Sequence, residues 1–445
     1  MSEHYEFVIV GSGAGGATVA MELAKRGREV LVVEVGEPEE NVGTFSDALG
    51  YFDVSKVLKT PKKSKEGVIL WRTLMAGGST VVSCANATRA LERELADLGI
   101  DLGAEYAEAE TEMGVEPVAE DLLSEGTRRM RDAASELGYS FEPMPKFLDQ
   151  AQCRRCSQCT LGCRVDAKWT AREYLHEAEA HGAEIRYGIE ARRILVEDGV
   201  ARGIEGVGPD GQFTVNADTV VLAAGALATP RILQASGIDA GEGLFVDLFV
   251  NVYGVTDEPV NQLLEPQMAL VDTEFHEREG FILSPYLNVP RPVRFIEAGI
   301  RGGALPLPRT FGLMVKTKDD PTGVVYANGS VSKAITDADQ ARLDAGVEVA
   351  TEILVAAGAR SDSIVVTAPQ GAHVGGTAAI GRVVDTDLRT EVDGLYVCDA
   401  SVLPETPGMP PIMTIVALAK RLAEALTTGV EVSVTATGTV DSPSA

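Results

Sequence analysis

Four apolar residues, Phe7-Val8-Ile9-Val10, run directly into Gly11-Ser12-Gly13-Ala14-Gly15-Gly16, after which Ala17, Val19, Ala20, Leu23 and Ala24 recur at helical spacing. This order predicts a strand, a tight turn and a helix. A second apolar run, Val30-Leu31-Val32-Val33, ends at Glu34, close to the offset of about 20 residues at which an acidic side chain meets a ribose hydroxyl in a dinucleotide-binding unit. Gly11 permits the turn, Gly13 lets a pyrophosphate approach the backbone, and Gly16 lets helix and strand pack closely. The helix start around Gly13 and Ala14 offers unpaired N–H groups to the phosphates. By itself the motif suits FAD and NAD equally.

A chain of 445 residues, 45% of them hydrophobic, is long enough for two or three packed units. Its 39 Lys and Arg against 66 Asp and Glu leave a formal charge of −27, a field that repels phosphate backbones and anionic headgroups and argues against nucleic acid as a partner. The same acid-rich, lysine-poor balance suits solubility at high salt, so a halophilic host is expected. No run reaches the roughly 18 apolar residues that span a bilayer, and no secretory leader pattern opens the sequence. No integral membrane segment and a cytoplasmic setting are therefore expected.

Further along, polar helical segments from Ala90 to about Gly138 read as a solvated cap. Short alternating strands follow from Glu184 to Leu222: a strand, a β-meander including Phe213-Thr214-Val215, and a return strand, Thr219-Val220-Val221-Leu222, that leads through Gly225 into a helix. Between Gly241 and Gln370, strands alternate with Pro-rich turns and one helix from Asp337 to Ala357. The chain then gives a strand tipped by Asp399 and an apolar helix from about Ile412 to Leu426.

Four landmarks in this order resemble the glucose-methanol-choline (GMC) flavoprotein oxidoreductases over most of the chain. They are the Gly11-Gly13-Gly16 turn with Glu34, the Ala76-Gly77-Gly78-Ser79 segment ending at Arg89, the run from Gly225 to Gly237, and His373-Val374-Gly375-Gly376-Thr377 followed by Leu395 to Pro404. The resemblance implies FAD, with Glu34 on the adenosine ribose, Gly77, Gly78 and Ser79 along the flavin side, and Asp399 near the ribityl or pyrophosphate portion. It also implies a small-molecule alcohol donor that gives a proton to an active-site base and a hydride to flavin N5, with His373 as that base or its orienting partner. An imidazole titrates near neutrality and suits the task; a structural histidine capping a glycine loop is the alternative. Two positions depart from the family. The turn Gly408-Met409-Pro410-Pro411 stands where a second catalytic Asn or His is usual, and Ser83 stands where many members have Asn. Methionine offers neither a donor nor a base.

The implied fold class is α/β. A Rossmann-like FAD-binding domain with a β-meander is expected over residues 1–90, 165–240 and 371–430, and a helical cap with the cysteine segment over 91–164. A smaller α+β substrate domain with an antiparallel or mixed sheet is expected over 241–370, and a flexible tail over 431–445.

Cys153, Cys156, Cys159 and Cys163 have the spacing of the bacterial ferredoxin run, without the usual proline after the fourth cysteine. An iron-sulfur cluster, [4Fe-4S] before [3Fe-4S], is the expected occupant. Zinc, disulfides and a purely structural role are the alternatives. Cys84 and Cys398 read as small packing residues. With a cluster, the expected function is a dehydrogenase passing electrons from flavin to a protein or quinone acceptor. An FAD/iron-sulfur reductase of a C=C or C=O group and a flavin-binding protein without catalysis stand as alternatives.

Overall fold

In the computed structural model, which describes residues 3–55 and 60–428, the opening strand spans His4–Val10 and the opening helix Ala14–Lys25. The tail expected over 431–445 lies outside the described residues. Val30–Val33 pairs in parallel with one side of the opening strand and Gly211–Leu222 with the other. Glu184–Arg186 and Leu395–Val397 extend the parallel set. The central strands are apolar without alternation because helices and loops cover both faces. Val200–Gly208 and Glu190–Glu197 continue the sheet as an antiparallel meander. The two strands expected at Phe213-Thr214-Val215 and Thr219-Val220-Val221-Leu222 are one. Asn216 pairs with His4 on one side and with Gly203 on the other, so the chain passes from meander to parallel sheet without a turn.

The opening helix packs against Ala171–Ala180 and the closing helix Ile412–Thr428. At their junction the buried Lys420 Nζ meets Glu22 at 2.6 Å, Glu112 at 2.9 Å and Glu108 at 3.1 Å. The last two belong to Gly103–Glu112, which lays Tyr106 and Ala109 into the same core. Glu125–Glu136 packs instead on the helix Asp337–Ala356. Residues 91–164 therefore divide their packing between two cores.

The second core belongs to a mixed sheet ordered Phe281–Pro285, Thr310–Thr317, Leu248–Val255, Gln370–Gly371, Ile69–Leu70, Lys62–Lys63, in which only the Gln370–Gly371 and Ile69–Leu70 pair is parallel. Alternation separates its faces. Val250 and Val252 lie against Leu343, Ala350, Ile353 and Leu354 of the helix Asp337–Ala356. That helix starts at a capping box between Thr336 and Asp339. Phe249, Met314, Ile282 and Tyr286 lie on the other face and look toward the dinucleotide-type unit. The site forms between the two.

Candidate active site

One cavity of about 740 Å³ runs along this junction, lined at one end by Gly11, Gly13, Ala14 and Glu34 and at the other by Trp71, Met314, Lys316 and His373. Gly11 turns the chain at φ +101°, and a Cβ on Gly16 would sit 2.0 Å from the Gly11 carbonyl oxygen, so helix and turn touch backbone to backbone. At Gly13 nothing in the protein stands within 4 Å of where a Cβ would be. The opening helix has no side-chain cap and no acidic residue in its first turn. Its free N–H groups and positive dipole end suit an anionic group, so the cradle fits the pyrophosphate of FAD.

Glu34 is buried, which raises its pKa despite the donors around it. Its Oε2 accepts from Ser12 N at 2.9 Å and Ser12 Oγ at 2.6 Å, and its Oε1 from Gly36 N at 2.8 Å. Ser12 Oγ in turn accepts from Gly77 N at 3.1 Å. Gly78 packs against the Gly13 backbone, a Cβ there falling 3.1 Å from Gly13 Cα, and Ser79 accepts from Thr73 N at 3.2 Å beside the cavity. Asp399 lines the same wall and ties three segments: its Oδ2 accepts from Gly225 N at 2.8 Å and Thr229 Oγ1 at 2.6 Å, and its Oδ1 from Ser401 N at 2.7 Å.

At the far end His373 Nδ1 lies 2.9 Å from Asp247 Oδ2 and 3.4 Å from Lys316 Nζ. Sequence reasoning missed both partners. Asp247 is fully buried at φ +49°, and the turn that holds it is fixed by Asp319, whose carboxylate accepts from the N–H groups of Val246 and Leu248. Asp319 is itself paired with buried Lys333 at 2.9 Å. Gly408 N donates to Asp247 Oδ1 at 3.0 Å. Burial raises the Asp247 pKa from 3.8 to about 7, while burial and the Lys316 charge hold His373 well below its ordinary value. The imidazole is thus neutral at pH 7. Asp247 favours the tautomer with hydrogen on Nδ1 and the lone pair on Nε2. The side chain keeps 22% of its surface exposed.

The turn at residues 408–411 reaches the cavity through Pro410 and Pro411, and Met409 packs beside Phe249 and Met314. Neither proline offers a side-chain donor or base, and His373, Asp247 and Lys316 are the titratable groups that meet at this end. The raised Asp247 pKa has a thermodynamic consequence. Between pH 3.8 and about 7 the folded state binds more protons at this carboxyl than the unfolded chain, so stability falls as pH rises through that window. Asp247→Asn is expected to make the decline in melting temperature from pH 5 to pH 8 shallower; an unchanged slope would count against a raised pKa.

The cysteine segment borders the same cavity through Thr160 and Leu161, and Cys84 lines it directly rather than serving only as packing. Cys156 is exposed, and Cys153, Cys159 and Cys163 are half-buried. Among the described residues no three cysteine sulfurs lie within 4.8 Å of one another, which argues against a zinc-like set. The acidic trio Glu22, Glu108 and Glu112 is filled by Lys420. Beneath the segment are two buried lysines that form no ion pair among the described residues. Lys168 Nζ donates to the carbonyls of Val81 (2.7 Å), Ser83 (2.6 Å) and Cys159 (3.0 Å), and Lys146 Nζ donates to Cys84 O at 2.7 Å and to Asn86 Oδ1.

A dinucleotide-type cradle and an imidazole with a buried carboxylate partner thus share one cavity. Residues 5–260 match the N-terminal and residues 315–419 the C-terminal model of the GMC oxidoreductases, and the chain belongs to that family. It is an FAD-dependent enzyme acting on CH–OH donors. A protein of Methanocaldococcus jannaschii is 31% identical over 94% of this chain and 98% of its own. A long-chain-alcohol oxidase of Arabidopsis thaliana is 26% identical over 95% of this chain and 68% of its own. Among solved structures, pyridoxine 4-oxidase from Mesorbium loti superposes with a TM-score of 0.74 at 18% identity, covering 95% of this chain and 99% of that one, a likeness of fold. No helix among the described residues is long and apolar enough to cross a membrane.

Proposed function

We propose that the protein is a dehydrogenase that oxidises a small alcohol, with His373 as the base. The reading is carried by the Asp247–His373 pair opening onto the cavity that the glycine turn also lines. His373 Nε2 takes the hydroxyl proton while Nδ1–H stays on Asp247, whose carboxylate balances the imidazolium that forms. Lys316, 3.4 Å from Nδ1, lines the same cavity, and its charge helps keep the resting imidazole neutral and able to accept the proton. Bound FAD supplies the two-electron acceptor for the hydride. Gly11, Gly13, Ala14, Gly16 and Glu34 hold its dinucleotide end, and Gly77, Gly78, Ser79 and Asp399 the stretch toward its ring.

We further propose that Cys153, Cys156, Cys159 and Cys163 hold an iron-sulfur cluster through which electrons leave to a protein or quinone acceptor. Two observations support this. The segment touches the cavity, and the two buried lysines beside it bond only carbonyl and amide oxygens among the described residues, so an anionic cluster with four thiolate ligands would favour their charged form. Ligand sulfurs stand wider apart around a cube of four irons than around one zinc ion. The acidic surface is read as adaptation to a salty cytoplasm. Protein purified without oxygen is expected to contain about four iron and four sulfide per chain. An alcohol should bleach its flavin and then bring up a cluster signal in electron paramagnetic resonance. Bleaching without iron removes the cluster; iron without bleaching by any alcohol removes the reaction.

A further inference from the structure

The inner wall of the cavity carries a polar network that the proton-handling end does not use. Glu297, Asn288 and Gln370 are each at most 5% exposed and all line the cavity. Trp71 Nε1 donates to Gln370 Oε1 at 2.7 Å. An indole can only donate, so that amide presents its oxygen to Trp71 and its NH2 to Glu297, to which it donates at 3.1 Å. Tyr286 OH likewise donates to Asn288 Oδ1 at 2.9 Å, and Asn288 Nδ2 donates to Glu297 Oε1 at 2.8 Å. Every amide therefore points its donor at one carboxylate. Among the described residues, Oε2 receives only the long contact of 3.3 Å from Tyr253 OH.

We propose that this wall selects alcohols that carry a second hydroxyl group, small diols and polyols, with Glu297 accepting the hydrogen bond from that hydroxyl. The inference rests on the CH–OH reading and adds the substrate class. Oε2 has acceptor capacity left, and a buried carboxylate facing an alkyl chain in its place loses water without replacement. The recognised group is neutral because Arg294, buried one turn earlier on the same helix Arg291–Gly303, already supplies positive charge to Glu297. Burial raises the Glu297 pKa to about 7, which limits the negative charge offered to a cation. On the neighbouring strand, Asn251 adds unmet capacity: it is fully buried and neither side-chain amide atom has a partner among the described residues. It shares a sheet face with Phe249 and, across the strand pair, with Met314, both of which line the cavity.

Gln370, which holds Glu297, and His373 are three residues apart, so their Cα atoms lie within about 10 Å, and a small donor is the one proposed. Tyr286, Asn288, Arg294 and Glu297 lie in the stretch between residues 260 and 315 that neither GMC model matches. The carboxylate and its closest neighbours thus come from the unmatched stretch, while Trp71, Asn251 and Gln370 lie within the matched residues.

The test uses the FAD-loaded protein and the rate at which donors bleach its flavin without oxygen. 1,3-Butanediol is expected to exceed 1-butanol and 1-octanol in kcat/KM by about 100-fold, the upper scale of one hydrogen bond to a charged group. Glu297→Leu should bring the ratio to within about tenfold, and Glu297→Gln, which keeps an acceptor oxygen, should restore part of it. Equal bleaching by diol and alkanol in the unmutated protein overturns the proposal without any variant. A preserved ratio in Glu297→Leu that still binds FAD overturns it as well. Bleaching by neither class overturns the alcohol reading and this inference together.

Discussion

His373→Ala is expected to leave FAD bound with an unaltered visible spectrum and to slow its reduction by alcohol at least about 100-fold, the usual scale of acid–base contributions. The expectation follows from how little else at that end of the cavity can take a proton. Pro410 and Pro411 have no titratable group, Asp247 is fully buried behind the imidazole, and Glu297 is engaged by the amides of Asn288 and Gln370. Stopped-flow bleaching at saturating donor separates this from weakened binding, since a lost base lowers the rate constant whereas a lost contact raises the donor concentration required. Asp247→Asn acts through the ring, not on the donor, and is expected to cost less. An undiminished rate in His373→Ala removes the imidazole from the chemistry.

The histidine was legible in the sequence and its partners were not, for a reason of distance. Asp247 is 126 residues from His373 and Lys316 is 57 residues away. Nothing periodic links them, because the contact is made where two strands and a turn of the second sheet converge. The strand Leu248–Val255 is buried at every position, so alternation of polar and apolar residues could not reveal which side faces the cavity. The sequence of residues 408–411 likewise drew attention to Met409, while the backbone presents Pro410 and Pro411 to the cavity.

Where local rules suffice, the reading from sequence is detailed. The strand, turn and helix at the start are each set by neighbouring residues, and the helix Asp337–Ala356 begins at its capping box, within one residue of expectation at its end. The long strand Gly211–Leu222 shows the limit. Asn216-Ala217-Asp218 lacks β-branched residues and reads as a break, yet pairing on both sides holds it extended. The stretch from 91 to 164 misled in the opposite sense. Its helices look polar because each buries only a narrow stripe, such as Tyr106 and Ala109, in a core supplied by other segments.

Gly13→Val is expected to fold as the unmutated apoprotein does, with an unchanged melting temperature without FAD, and to bind FAD about 100-fold more weakly or not at all. Gly13 has φ −71°, a conformation open to any residue, and a Cβ there meets no protein atom within 4 Å. A Cβ at this point is clear of the described residues and points into the space that a bound pyrophosphate would fill, and a collision there of about 2.7 kcal/mol already amounts to 100-fold in affinity. Gly15→Ala is the contrasting case. Its Cβ would fall 1.8 Å from the carbonyl oxygen of Cys398, which fixes the helix against the closing strand, so the apoprotein itself should melt at lower temperature. Full FAD affinity in Gly13→Val would place the pyrophosphate elsewhere. A lowered apoprotein melting temperature in Gly13→Val would mean that the open space beside Gly13 belongs to the fold rather than to the cofactor.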